Sequence, residues 1–234
     1  MPAPIRTRDG VALFHRDWGE GPPVVFVASW SLPSDSWCYQ MLALAGAGFR
    51  CVAYDRRGHG RSDDPGRGYD FDTLADDLAA VLEQLDLRGA TLVGFSMGCG
   101  EVLRCLTRHG AAGRVARAVL IGTTTPMLTR APDNPAGLRN WVRDMALRSS
   151  LRALLECHRT LAAADFRAEA RAIDVPVLLL HGERDMTSPP DLTARPTAAL
   201  LPKARLEIYE GAPHGLFLTH QARLNADLIA FARG

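Results

Sequence analysis

The chain predicts an α/β protein built on a mainly parallel sheet with helices on both faces. Strand-like and helical segments alternate along it, and the strands are continuous apolar runs, as a sheet buried on both faces requires. The length, 234 residues, suits a single domain spanning 1–234 whose core is stable without disulfides.

The elements follow in order. Ala12 to Asp17 reads as a strand ahead of the turn Gly19-Glu20-Gly21-Pro22, and Pro23 to Ala28 as an apolar strand. Ser36 to Ala47 is helical and ends at Gly48; Arg50 to Tyr54 is a strand. Asp72 to Leu85 places Leu74, Leu78, Val81, Leu82 and Leu85 at helical spacing. The apolar run Ala90-Thr91-Leu92-Val93 is a strand, Gly98 to Arg108 a helix stopped by Gly110, and Val115 to Ile121 a strand. Towards the end, Pro176 to Leu180 and Arg205 to Tyr209 are strands, and Leu216 to Ala232 is a closing helix. The stretch 123–173 breaks the alternation. It opens with Thr123-Thr124-Thr125-Pro126 and the loop Ala131 to Gly137, then carries Trp141, Met145, Leu147, Leu151, Leu154, Leu155 and Leu161 in a helical pattern. Placed after the strand Val115–Ile121, it falls over the carboxyl edge of the sheet and is predicted to be a lid.

Composition excludes several classes. Hydrophobic residues are 47% and charged residues 23%, and the formal net charge is +1 with no basic block, so neither nucleic acid nor a membrane is an expected partner. No apolar run is long enough to span a bilayer, and Met1 to Arg6 lacks a signal peptide's apolar core. The five cysteines (Cys38, Cys51, Cys99, Cys105 and Cys157) show no C-x-x-C spacing, which points to reduced thiols and a cytoplasmic protein. Oligomeric state is open, a homo-oligomer included.

Chemistry is carried by Gly94-Phe95-Ser96-Met97-Gly98, a G-x-S-x-G between a strand and an amphipathic helix. An aspartate follows in His181-Gly182-Glu183-Arg184-Asp185 and a histidine in Gly211-Ala212-Pro213-His214-Gly215. The order Ser, Asp, His after a strand–turn–helix is that of a nucleophile elbow. Glycines at 94 and 98 let strand and helix approach closely around a strained turn. A serine hydroxyl is a poor nucleophile unaided, so Ser96 needs His214 as base and Asp185 to orient it. Glu183 sits early in the same turn and Asp174 at the wrong end of its strand, so Asp185 is preferred. Among the seven histidines only His214 has the required position after an acid; His15, His109, His158 and His220 are expected to be solvated or structural. The oxyanion hole draws one N–H from Met97 at a helix N-terminus and one from the loop after Pro23–Ala28, where Trp30 is the candidate and also a pocket wall. Ser31, Phe95 and Leu216 are candidate substrate-pocket residues. Asp55-Arg56-Arg57-Gly58-His59-Gly60-Arg61-Ser62 lacks the lysine and spacing of a phosphate loop, and reads as a structural turn whose charges pair locally, braced by His59. No metal and no nucleotide cofactor is expected.

Together these stretches resemble the α/β-hydrolases that include cofactor-free haloperoxidases (perhydrolases), arylesterases and lactonases. The resemblance is carried by Asp35-Ser36-Trp37, Tyr54 to Ser62, Gly94 to Gly98 running on to Gly100-Glu101-Val102, Asn134-Pro135-Ala136-Gly137, Asp174-Val175-Pro176, Gly211 to Leu216 and Leu224 to Leu228. It implies catalytic Ser96, Asp185 and His214, oxyanion donors Trp30 and Met97, and hydrolysis of a small ester or lactone. Peracid formation is the alternative within that group, and a hydrolase-fold binding protein with weak catalysis the alternative outside it. The chain departs from the group in Ala28-Ser29 where His-Gly is usual and in Cys99 within a usual run of three glycines. Its lid also reads as shortened after Gly137, and Ser31 stands where haloperoxidase-type members carry proline. Restoring that proline, Ser31→Pro, is expected to raise perhydrolysis relative to hydrolysis.

Overall fold

A computed structural model describes residues 3–110, 114–124 and 143–234. Seven strands form one sheet in the order β3-β5-β4-β6-β7-β8-β9: β3 His15–Trp18, β4 Pro23–Val27, β5 Arg50–Tyr54, β6 Ala90–Phe95, β7 Val115–Ile121, β8 Val177–Gly182 and β9 Ala204–Tyr209. Only β3 is antiparallel to its neighbour; every other pair is parallel. A small antiparallel ribbon, β1 Ile5–Arg6 with β2 Ala12–Leu13, stands apart.

Period-two alternation divides the core. In β4, Val25 and Val27 point into one apolar cluster while Val24 and Phe26 point into the other. The first cluster is closed by α2 (Phe71–Gln84) and α3 (Met97–His109), the second by α1 (Cys38–Gly46) and α8 (Gln221–Arg233). Both faces are therefore covered, which is why the strands read as unbroken apolar runs. Asp70 caps α2 by accepting the Thr73 N–H at 2.9 Å, an arrangement typically worth about 1 kcal/mol.

Four details differ from the sequence expectation. The single strand expected over Ala12 to Asp17 is two, β2 in the ribbon and β3 in the large sheet. The closing helix is two: α7 (Leu216–Thr219) ends at His220, whose φ of −123° and ψ of 37° are not helical, and α8 begins at the next residue. A helix, α6 (Ala194–Leu200), covers the crossover between the parallel strands β8 and β9, which no strong apolar period announced. In the lid stretch, α4 (Leu151–Ala163) buries Ala153, Cys157 and Leu161 and leaves Leu151 and Leu155 exposed, so the small residues face inward. A short α5 (Arg167–Ala172) follows. Trp141 and the Asn134 to Gly137 motif lie outside the described residues.

The chain leaves β4 outward to β5 and returns to β6 on the opposite side of β4. In open parallel sheets such a reversal opens a crevice at the carboxyl ends of the two strands. Trp30 follows β4 and Ser96 follows β6, one on each side of that crevice.

Candidate active site

No linker separates β6 from α3, so the chain must turn at one residue. Ser96 takes the turn with φ 54° and ψ −116°, a conformation costing an L-residue on the order of 1–3 kcal/mol. The flanking glycines make it possible. A Cβ on Gly94 would lie 2.7 Å from the Gly98 carbonyl oxygen, and one on Gly98 would lie 2.4 Å from that of Val27. These are backbone atoms and cannot swing aside, so strand, helix and the loop after β4 meet without room for a methyl group.

At that turn the Ser96 hydroxyl lies 3.0 Å from His214 Nε2, and His214 Nδ1 lies 2.7 Å from Asp185 Oδ2. A carboxylate only accepts, so Nδ1 carries the proton and Nε2 is left to accept from the serine. Asp185 is buried, and its Oδ1 accepts the N–H groups of Thr187 at 3.0 Å and Ser188 at 2.8 Å. Burial alone would push this carboxyl up, but hydrogen bonds from His181 and His214 outweigh it and hold it well below the usual carboxylate range. His181, a residue sequence reasoning passed over, donates from Nε2 to the Ser188 carbonyl at 2.6 Å, with Asp185 Oδ2 at 3.2 Å. The rival acids are engaged elsewhere: Glu183 accepts the Gly211 N–H at 2.9 Å, and Asp174 pairs with Lys203 at 2.7 Å on the surface.

Met97 opens α3, and neither its N–H nor that of Trp30 has a partner among the described residues. The Trp30 indole is held by α4, donating to the Leu154 carbonyl at 2.9 Å with the His158 ring 5.9 Å away edge-on. Residues 29–32 form a turn closed by Leu32 N–H to Ser29 O at 3.2 Å, with Ser31 third at φ 66°. Positive φ at that place marks a type II turn. Ser31→Pro would therefore have to rearrange this turn, because a proline ring holds φ near −65° and does not take this conformation. Of the other pocket candidates, Ser31 retains exposed surface, whereas Phe95 and Leu216 are buried. Phe95 packs its ring 5.0 Å from that of His214 and 4.6 Å from that of Phe217, forming a floor under the histidine.

The charges of Asp55 to Ser62 pair over longer distances than a local turn implies. Arg57 joins Asp77 and Asp9, and Arg56 joins Glu101 on α3 while reaching the Ala28 and Ser29 carbonyls. His59 is buried, with Nδ1 3.0 Å from the Arg57 carbonyl, as a bracing residue should be. A cavity of about 320 Å³ lined by Gly100, Leu161, Phe166 and Leu200 is not lined by Ser96, Asp185 or His214. Among the described residues no group of His, Cys, Asp and Glu is arranged to hold a metal ion, and no helix is long and apolar enough to cross a membrane.

Fold and site define a hydrolase of the α/β class. The sequence profile described as alpha/beta hydrolase fold matches residues 22–158, and the chain belongs to that family. It is 38% identical to a non-heme chloroperoxidase of Streptomyces lividans, over 98% of this chain and 99% of the relative. To the bifunctional esterase/perhydrolase DCH of Acinetobacter calcoaceticus it is 35% identical, again over 98% and 99%. An esterase structure from Exiguobacterium antarcticum superposes with a TM-score of 0.94 at 27% identity, covering 100% of both chains. The alignment with the Streptomyces relative runs to 273 positions, more than the 234 residues of this chain, so it places gaps in this chain.

Proposed function

We propose that the protein hydrolyses small carboxylic esters or lactones through an acyl-enzyme on Ser96. The observation that carries this is the continuous relay from Ser96 Oγ through His214 to a buried, ionised Asp185. His214 Nε2 takes the serine proton as Oγ attacks the substrate carbonyl carbon. The carbonyl oxygen gains negative charge and is received by the N–H groups of Met97 and Trp30. His214 then passes its proton to the leaving alkoxide. Water, deprotonated by the same nitrogen, releases the acid and restores the serine. Asp185 keeps the imidazole in the required tautomer and stabilises the imidazolium.

Residues 123–173 act as a short lid, supported by the contact of Leu154 with Trp30. On this reading of a lid shortened in sequence, the favoured substrates are short-chain activated esters, without interfacial activation. The names of the relatives favour peracid formation as a second reading. The left-handed Ser31 argues against it, because the turn differs from any that proline would form. The deciding experiment compares wild type with Ser96→Ala on p-nitrophenyl esters of increasing chain length and on lactones, with monochlorodimedone bromination in parallel. Wild type should turn over short esters and label with a fluorophosphonate at Ser96, and Ser96→Ala should lose up to about a millionfold in kcat. Retention of a tenth of the activity by Ser96→Ala would remove the serine assignment, and bromination comparable with ester turnover would put the second reading first.

A further inference from the structure

A fully buried ion pair lies directly behind the loop that carries Trp30, and burial of such a pair is weak evidence for stability. Arg56 and Glu101 are 3% and 0% exposed at their side chains. Arg56 Nε donates to Glu101 Oε1 at 2.8 Å, a second bond comes from Nη2, and the Tyr54 hydroxyl donates to Glu101 Oε2 at 3.2 Å. Proton affinities of both partners rise: burial lifts that of Glu101, and Glu101 lifts that of Arg56 against burial. The ionised pair is the resting form, since a guanidinium does not give up its proton in proteins and Glu101 accepts two of its bonds. The remaining guanidinium hydrogens leave the pair. Nη2 donates to the Ala28 carbonyl at 2.8 Å and Nη1 to the Ser29 carbonyl at 3.2 Å.

The second contact matters most, because the Ser29 carbonyl and the Trp30 N–H belong to one peptide unit. That unit is planar and trans, so its C=O and N–H point in opposite directions. Whatever fixes the Ser29 oxygen fixes the line along which the Trp30 N–H is aimed. Arg56 holds that oxygen from the core side, Leu32 N–H closes the turn on it, and the Trp30 N–H faces away without a partner among the described residues. Serine at 29 and alanine at 28 have no side chain long enough to brace the loop, so the brace comes from underneath it.

We propose that Arg56, held by Glu101 and Tyr54, is a positioning residue of the oxyanion hole that sets the orientation of the Trp30 N–H through the Ser29 carbonyl. This rests on the esterase reading above. Removing one oxyanion donor costs about a hundredfold to a thousandfold in kcat, and misplacing a reacting group by about 1 Å costs about a hundredfold. The test uses the double variant Arg56→Met/Glu101→Gln, which leaves no charge unpaired, alongside Arg56→Lys and Tyr54→Phe as gentler changes. On p-nitrophenyl acetate, kcat of the double variant should fall about thirtyfold to a hundredfold. KM should stay within about threefold, and the acid limb of the pH profile should stay unchanged because His214 and Asp185 are untouched. Arg56→Lys, which cannot span Glu101 and both carbonyls, should lie between. A crystal structure of the double variant should show the Ser29–Trp30 peptide rotated. Wild-type kcat in a folded double variant overturns the inference while leaving Ser96-dependent hydrolysis standing. An unmoved Ser29–Trp30 peptide overturns it even if the protein proves not to be an esterase. If the double variant does not fold, unchanged kcat in both Arg56→Lys and Tyr54→Phe overturns it as well.

Discussion

The Trp30 indole Nε1 donates to the main-chain carbonyl of Leu154 at 2.9 Å, tying the loop after β4 to helix α4. That loop is thus held from the α4 side through the Trp30 side chain and from the core side through its backbone carbonyls. Trp30→Phe keeps the ring and removes the donor. It should lower stability by about 1 kcal/mol and kcat by a few-fold, read by thermal unfolding and ester kinetics. A variant with unchanged melting temperature and unchanged kcat would show that the tether is idle.

Ser31 sits at φ 66°, where proline cannot. Ser31→Pro should therefore disrupt the turn, lowering ester hydrolysis at least tenfold without raising bromination. Ser31→Gly, which favours the same φ, should keep activity within about twofold. A gain in the perhydrolysis-to-hydrolysis ratio for Ser31→Pro would show that the loop has a second accessible turn.

Gly98 and Gly46 make a matched pair. A Cβ at Gly98 meets the Val27 and Ala28 carbonyl oxygens at 2.4 and 2.8 Å, whereas one at Gly46 meets nothing within 4 Å. Gly98→Ala should cost more than about 2 kcal/mol and most of the activity, since the clash displaces the end of β4 and the loop after it. Gly46→Ala, at the last residue of α1, should be neutral or stabilising by up to about 1 kcal/mol. Chemical unfolding of the two variants side by side decides it.

Asp185→Asn replaces an acceptor facing His214 Nδ1 with a group that can donate. The imidazole then favours the opposite tautomer, with its proton on Nε2, and cannot accept from Ser96. kcat should fall about ten-thousandfold with the fold intact by circular dichroism. A loss below tenfold would place the orienting acid elsewhere.

His59 contributes to the pH dependence of stability, and buried His15, its proton affinity also lowered by burial, acts in the same direction. Burial first, and the Arg56 charge second, push the pKa of His59 down from 6.5 to about 3. Folded His59 thus stays neutral where the unfolded chain takes up a proton. Its contribution to stability is complete above pH 6.5 and is lost as pH falls from there towards 3. The slope in that window is at most about 1.4 kcal/mol per pH unit for one group. Urea unfolding at several pH values should show stability falling with falling pH in this window in wild type and a flatter slope in His59→Gln. Equal slopes would assign the acid sensitivity to other groups.

Much of the site was legible because it depends on local order. Ser96, Asp185 and His214 follow β6, β8 and β9, mutually parallel strands of one sheet, so their order in the chain and their place after strand-forming runs brought them to one edge. The limits of β5 and β7 were read to the residue, Arg50–Tyr54 and Val115–Ile121, because turns or glycines flank both strands. The break at His220 was not legible, since the apolar residues of α7 and α8 both pack on the same cluster and share one running pattern. Nor was the inward face of α4, where Ala153 and Cys157 win over Leu151 and Leu155 because the helix lies close against Gly58 and Tyr69.

By itself, then, the sequence determined the α/β class, the order of the strands in the chain, the turn with its two tightly packed glycines, and the candidates for nucleophile, acid and base. Tertiary structure alone decided how the loop after β4 is held. Nothing in Asp55 to Ser62 says which of three arginines will reach Glu101, which Asp77, and which Asp55 and Asp35. Nothing in Ser29-Trp30-Ser31 says that the serine will be left-handed or that the indole will meet Leu154. Periodicity and turn chemistry act over a few residues, so they can be read along the chain. The partner of a buried charge or an unpaired carbonyl is chosen by what the folded sheet and helices bring beside it, which only the packed structure supplies.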